Sequence, residues 1–205
     1  MTSKQDSREA VLLLHGLGGI GPIMWPLARR LRLAGYQANI WPYASTRRTV
    51  SAHADLVLPV LRKLDESTSL DRVHFVTHSM GGIVLRVALQ RQPITKSGRF
   101  VMIAPPNRGT PLATKFSWLP GWILRPRAEL TDEPHSFVNL LQPPSGLQTG
   151  IIAASHDMIV PTSCTYLQGQ CDHIVVRGLH TQILFRRKTA EQVLAFLRDG
   201  RFMHC

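Results

Sequence analysis

Acidic residues are scarce in this chain of 205 residues: 13 Asp and Glu stand against 24 Lys and Arg, for a net charge of +11. Cysteine is scarcer still. Three of them, Cys164, Cys171 and Cys205, make no disulfide framework, and free thiols in a reducing compartment are the expected state. There is no C-x-x-C pair, and the nine histidines show no zinc-ligand spacing, so no metal and no cofactor is expected. No apolar run approaches the roughly 20 residues that span a bilayer. The opening stretch is polar as far as Ala10, and the apolar run after it is too short for a signal-peptide core. A cytoplasmic protein is therefore expected. Repeats and low-complexity tracts are also lacking.

The basic excess gathers in one region: between Arg86 and Leu130 there are eight Lys or Arg and one acid, Glu129. Such a surface suits anions, among them phospholipid head groups, an acidic substrate or nucleic acid. It is equally the composition of a solvated face with no partner. Nothing resembling a nucleic-acid-binding motif accompanies it. An anionic membrane surface is thus a possible peripheral partner, nucleic acid is not expected, and the chain is expected to be a monomer.

What is present is alternation. Strands are predicted at 10–16 (AVLLLHG), 37–43, 72–78 (RVHFVTH), 99–106, 150–157 and 173–180. Helices are predicted at 24–35, over an apolar face from Ala54 to Leu64, and at 82–92 and 181–200; Pro59 is expected to kink or shorten the second. The first strand is apolar throughout, as a strand buried on both faces is. This order predicts one α/β domain over 1–205, with about six mostly parallel strands and helices on both faces. Residues 107–149 break the alternation and are too long for a simple connection, so they are expected to form a lid or cap insert, with a short helix near 134–141.

Chemistry is expected beyond the carboxyl ends of the strands. In VHFVTHSMGGIVL, Ser79 follows a strand and precedes a helix, the setting of a nucleophile elbow; a helix N-cap is the other reading. An elbow serine has positive φ, and its neighbours two positions away must be small. Gly81 meets that demand, and Thr77 does not. A nucleophilic serine needs a base, and the base needs an orienter, acid before histidine along the chain. Asp157 closes the fifth strand and His180 follows the sixth. His173 and Asp172 begin their strand at the opposite edge, Asp132 lies in the insert, His204 in the tail, and His156 points elsewhere. His78, beside the serine, reads as a packing residue. The glycine-rich loop HGLGGIG (15–21) follows the first strand, so Leu17 N–H, with Met80 N–H, is a candidate oxyanion donor. A dinucleotide site is excluded by the absence of an acid at the end of the second strand.

With these residues in view, the sequence resembles the α/β-hydrolase superfamily, and within it the small bacterial lipases and esterases. LLLHGLGG is similar to their first strand and oxyanion loop, HFVTHSMGGIVLR to their elbow, ASHDMIVP to their acid turn and GLHTQIL to their histidine loop; APPNRGTPLA resembles a segment of larger lipases. The resemblance spans about residues 10–197 and matches least in the insert. Small lipases of this group often carry alanine where most hydrolases have the first elbow glycine, which makes Thr77 a milder departure. The resemblance implies ester hydrolysis without a cofactor on a small ester or lipid substrate. An acyl thioesterase, an amidase or a non-catalytic lipid- or membrane-binding protein are the alternatives. Trp118, Trp122 and Ile123, between basic residues of the insert, are the candidate lid contacts to an acyl chain or lipid surface.

Overall fold

The structure is a computed structural model and describes residues 8–115 and 125–204. Six strands make one sheet: β1 (Glu9–Leu14), β2 (Gln37–Trp41), β3 (Arg72–His78), β4 (Ser97–Ile103), β5 (Gln148–Ala154) and β6 (Asp172–Val176). Their spatial order is β2-β1-β3-β4-β5-β6, and every pairing is parallel. The sequence order of strands reverses direction across the sheet between β1 and β3, which opens a crevice at their carboxyl ends.

β1 shows why the sheet is covered on both sides. Ala10, Leu12 and Leu14 face one apolar cluster, and Val11 and Leu13 face another. The first cluster takes α2 (Val50–Glu66) and α3 (Met80–Arg91); the second takes α1 (Trp25–Leu33) and α7 (Arg187–Asp199). Three short helices, α4 (Pro111–Lys115), α5 (Phe137–Leu140) and α6 (Thr162–Thr165), lie between β4 and β6. The α/β class and the parallel sheet are as the alternation predicts. No helix among the described residues is long and apolar enough to cross a membrane.

The differences from the predicted elements are local. The helix predicted from 24 starts with a 3-10 turn, Gly21–Met24, because Pro22 and Pro26 stagger its entry. Pro59 does not shorten α2, which runs on to Glu66; Thr49 caps its start by accepting the Ala52 N–H at 3.1 Å. β4 ends at Ile103, where Ala104 turns to φ 48°. β6 ends at Val176, short of His180, because Gly178 takes φ 155° and its carbonyl bonds His156 N–H instead of continuing the ladder. The closing helix is split into a 3-10 turn at Gln182–Phe185 and α7. The short helix near 134–141 is α5.

A guanidinium is buried beside α3. Arg86, on α3, is 1% exposed. Its Nη1 donates to Asn107 Oδ1 (3.1 Å), and its Nη2 to the carbonyls of Leu141 (2.6 Å) and Gln142 (3.3 Å). Asn107 in turn donates to Thr165 O at 2.8 Å. Burial lowers the guanidinium pKa to about 10, which still leaves it charged at neutral pH.

Candidate active site

Ser79 sits between the last residue of β3 and the first of α3 with φ 51° and ψ −129°, a conformation that L-residues rarely hold. Its N–H is secured by Ile103 O at 2.8 Å. Ser79 occupies the N-cap position of α3, but its side chain makes no cap bond to the helix. The turn brings strand and helix so close that a Cβ on Gly81 would lie 2.5 Å from His15 O, and one on Gly82 would lie 2.5 Å from Met102 Cε and 3.1 Å from Thr77 Oγ1. The space that a glycine at position 77 would have left is therefore supplied by Gly82, and Thr77 is accommodated, fully buried. Gly16 serves the approach from the other side, since a Cβ there would meet Ser79 Cβ at 2.8 Å.

The freed Ser79 hydroxyl lies 3.0 Å from His180 Nε2, and His180 Nδ1 lies 2.7 Å from Asp157 Oδ2. A carboxylate only accepts, so Nδ1 carries the imidazole proton and Nε2 is left to accept from the serine. Asp157 is itself fixed: its Oδ1 accepts the N–H groups of Ile159 (2.9 Å) and Val160 (2.8 Å), and its side chain is 1% exposed. Burial withdraws the acid and base from competing water, while the backbone donors keep the carboxylate hydrogen-bonded.

The other candidate acids and histidines, His78 apart, make their bonds elsewhere. Asp172 holds His204 Nε2 at 2.9 Å, His173 bonds Thr165, Asp132 bonds Thr114, and His156 bonds Ser155 Oγ. His78 does more than pack. Its Nε2–H donates to His180 O at 3.1 Å, its ring lies 4.8 Å from that of His180, and it lines the same cavity. Burial, and then the nearby His180, lower its pKa to about 3, so it stays neutral. The residue type alone gave no signal for this bond.

In front of Ser79 lies a cavity of about 540 Å³. Leu17 and Met80 line it beside Ser79, and neither backbone N–H has an acceptor among the described residues. Ile23, Leu112, Ala113, Leu130, Ile159 and Val160 make its wall largely apolar. Trp118, Trp122 and Ile123 lie outside the described residues. Among the described residues no cluster of His, Cys, Asp and Glu is arranged to hold a metal ion. Cys164 is partly buried and Cys171 exposed, both are free thiols, and neither lines the cavity.

A wholly parallel sheet covered on both faces, with a strained serine turn at its carboxyl edge, is the α/β-hydrolase architecture. The chain belongs to the alpha/beta hydrolase family, whose sequence model matches residues 11–192. No curated protein matches it in sequence. In fold it is similar to the Bacillus licheniformis lipase BlEst2 in mature form (TM-score 0.72, 15% identity, 93% of this chain and 91% of that one). It is also similar to a structure described as LipS and LipT, two metagenome-derived lipolytic enzymes (TM-score 0.69, 19% identity, 94% of each chain). Aspergillus fumigatus lipase B shares the fold over 93% of this chain and 52% of its own (TM-score 0.72, 17% identity).

Proposed function

We propose that the protein is a serine hydrolase that cleaves carboxylic esters through an acyl-serine intermediate. The observation that carries this reading is the hydrogen-bonded series Ser79–His180–Asp157, ending on a serine held at positive φ against an open cavity. Ser79 Oγ attacks the ester carbonyl, and His180 Nε2 takes its proton. Asp157 keeps the imidazole in the productive tautomer and stabilises its cationic form. Leu17 and Met80 N–H groups hold the oxyanion, and His180 returns the proton to the leaving alcohol. Water, activated by the same imidazole, then releases the acid. No cofactor enters this sequence.

The apolar wall favours an acyl chain as the buried half of the substrate. The similarity in fold to proteins described as lipases agrees with that chemistry. Segment 107–149 contributes Thr110, Leu112, Ala113 and Leu130 to the cavity and acts as its lid. A monomer acting on a small ester or lipid, with its basic surface turned to an anionic membrane, fits this reading.

A fluorophosphonate probe followed by peptide mapping tests the assignment, together with turnover of p-nitrophenyl, thio- and anilide acyl substrates of increasing chain length. Ser79 is expected to be labelled, and ester turnover to exceed that of the amide. Ser79→Ala or His180→Ala is expected to lose on the order of 10⁴-fold in kcat. Labelling that persists in Ser79→Ala would overturn the assignment, and turnover of the thioester or amide alone would replace the substrate class.

A further inference from the structure

The Leu17 N–H belongs to the Gly16–Leu17 peptide, and a planar trans peptide points its N–H opposite to its carbonyl. That carbonyl is held twice. Gly16 O accepts the Gly19 N–H at 3.2 Å and His15 Nδ1–H at 2.9 Å. Both bonds aim the carbonyl into the loop and leave the N–H directed out of it. The peptides on either side are held by a different segment, the connection between β2 and α2. Tyr43 Oη–H donates to His15 O at 2.6 Å, and Ser45 Oγ accepts the Gly18 N–H at 3.0 Å.

Neither hydroxyl is placed by chance contact with solvent. Tyr43 is stacked between His15 (4.3 Å, 22°) and Trp41 (4.8 Å, 20°), with His53 against its edge (4.8 Å, 74°). Burial raises its pKa, so its proton is retained for the bond it donates. Ser45 is 3% exposed. The same His15 carbonyl that Tyr43 holds is the atom lying against Gly81 at the start of α3. Tyr43 therefore ties the loop to the serine turn as well as to β2.

Gly16, Gly18 and Gly19 give this loop wide backbone freedom, and Gly18 uses it at φ 69°. A free loop would have to order itself each time charge develops on the substrate, whereas a useful oxyanion donor is ordered beforehand. We propose that Tyr43 and Ser45 are positioning residues for the oxyanion site: their hydroxyls fix the peptides flanking Gly16–Leu17, so that Leu17 N–H is aimed before substrate binds. The inference rests on the esterase reading above for its catalytic consequence, but its structural half stands on the loop alone.

The test compares wild type, Tyr43→Phe, Ser45→Ala and Ser45→Thr, with folding checked by circular dichroism. Two readouts are taken: kcat and KM on p-nitrophenyl butyrate, and amide hydrogen exchange across residues 15–19. Loss of one oxyanion donor lowers kcat by about 10²–10³-fold, so a loosened donor is expected to lower it by roughly 10-fold. KM and the pH midpoint of kcat/KM should stay as in wild type, and exchange at 15–19 should quicken while β3 stays protected. Ser45→Thr, which keeps the hydroxyl, should restore most of kcat. Unchanged loop exchange in both Tyr43→Phe and Ser45→Ala overturns the proposal. So does an active Ser45→Ala protein whose kcat is unchanged or whose loss lies in KM alone. If wild type turns over no acyl substrate yet both variants loosen the loop, the esterase reading falls and the clamp stands.

Discussion

Acid should unfold this protein well above the carboxylate range, because several of its histidines are folded as neutral groups. His78 is fully enclosed, with a pKa lowered from 6.5 to about 3. His74, on β3, is 0% exposed and lowered from 6.5 to about 4 by burial. Its Nδ1 accepts the Arg99 N–H at 2.9 Å, so protonating that nitrogen sets two N–H groups against each other. Glu9, 3.5 Å from Nε2, favours the charged form, and Arg72 and Arg99 oppose it. For both histidines the unfolded chain binds protons more readily than the folded one between the lowered value and 6.5. Stability is therefore whole above about pH 6.5 and falls as pH drops through that window. At pH 5 the unfolded state is stabilised by about 1.36 × 1.5, or about 2 kcal/mol, per histidine, hence about 4 kcal/mol for the two. His15, His53 and His173 are shifted in the same direction. Glu129, raised by burial, works the other way, and Asp65 and Asp172, both lowered, lose their contribution only below pH 5. Urea unfolding at pH 8 and pH 5 measures the difference. His74→Asn, which keeps an acceptor near Nδ1 but cannot take a proton, should remove about 2 kcal/mol of it. A pH 8 to 5 difference below about 1 kcal/mol, or the same difference in His74→Asn, would refute the reasoning.

Two further outcomes concern the serine turn. Thr77 Oγ1 is buried with no partner among the described residues, so Thr77→Val should stabilise by about 1 kcal/mol in urea unfolding; destabilisation by that amount would show that the hydroxyl is satisfied. Gly81→Ala sets a Cβ against two backbone carbonyls, so it should destabilise by roughly 1–3 kcal/mol and slow fluorophosphonate labelling; wild-type values for both would contradict the packing described.

The sheet was legible because β1 is apolar from Ala10 to Leu14, as a strand covered on both faces is, and because β3 (RVHFVTH) alternates as a strand does, although it too is buried from Val73 onward. Ser79, Asp157 and His180 could be picked out because each follows a strand, and strand ends converge at one edge of a parallel sheet. Positions set by long-range contacts were not legible. Tyr43 reads as the end of the predicted second strand and Ser45 as a residue of the connection after it, until the loop at 15–19 is seen against them. Arg86 has the composition of a solvated face, and its burial follows from carbonyls far along the chain. Thr77 looked misplaced because the room it needs is provided by Gly82 rather than by its own position. The ends of β6 and α7 were misjudged where Gly178 and a 3-10 turn interrupt an apolar pattern that itself continues.

Arg86 ties Asn107 and residues 141–142 to one guanidinium, and so closes the intervening chain at its root. The entropy of bringing those ends together is then fixed by the body and depends only weakly on what lies between, about 0.6 kcal/mol for each doubling of length. The stretch between the two stumps is anchored as well: Glu129 accepts the Val50 and Ser51 N–H groups at the start of α2, and Ala113, Leu130 and Val138 are buried in the core. The guanidinium fastens the two ends and these side chains fasten the middle, so this part of the chain is held to the scaffold at several points rather than at its root alone.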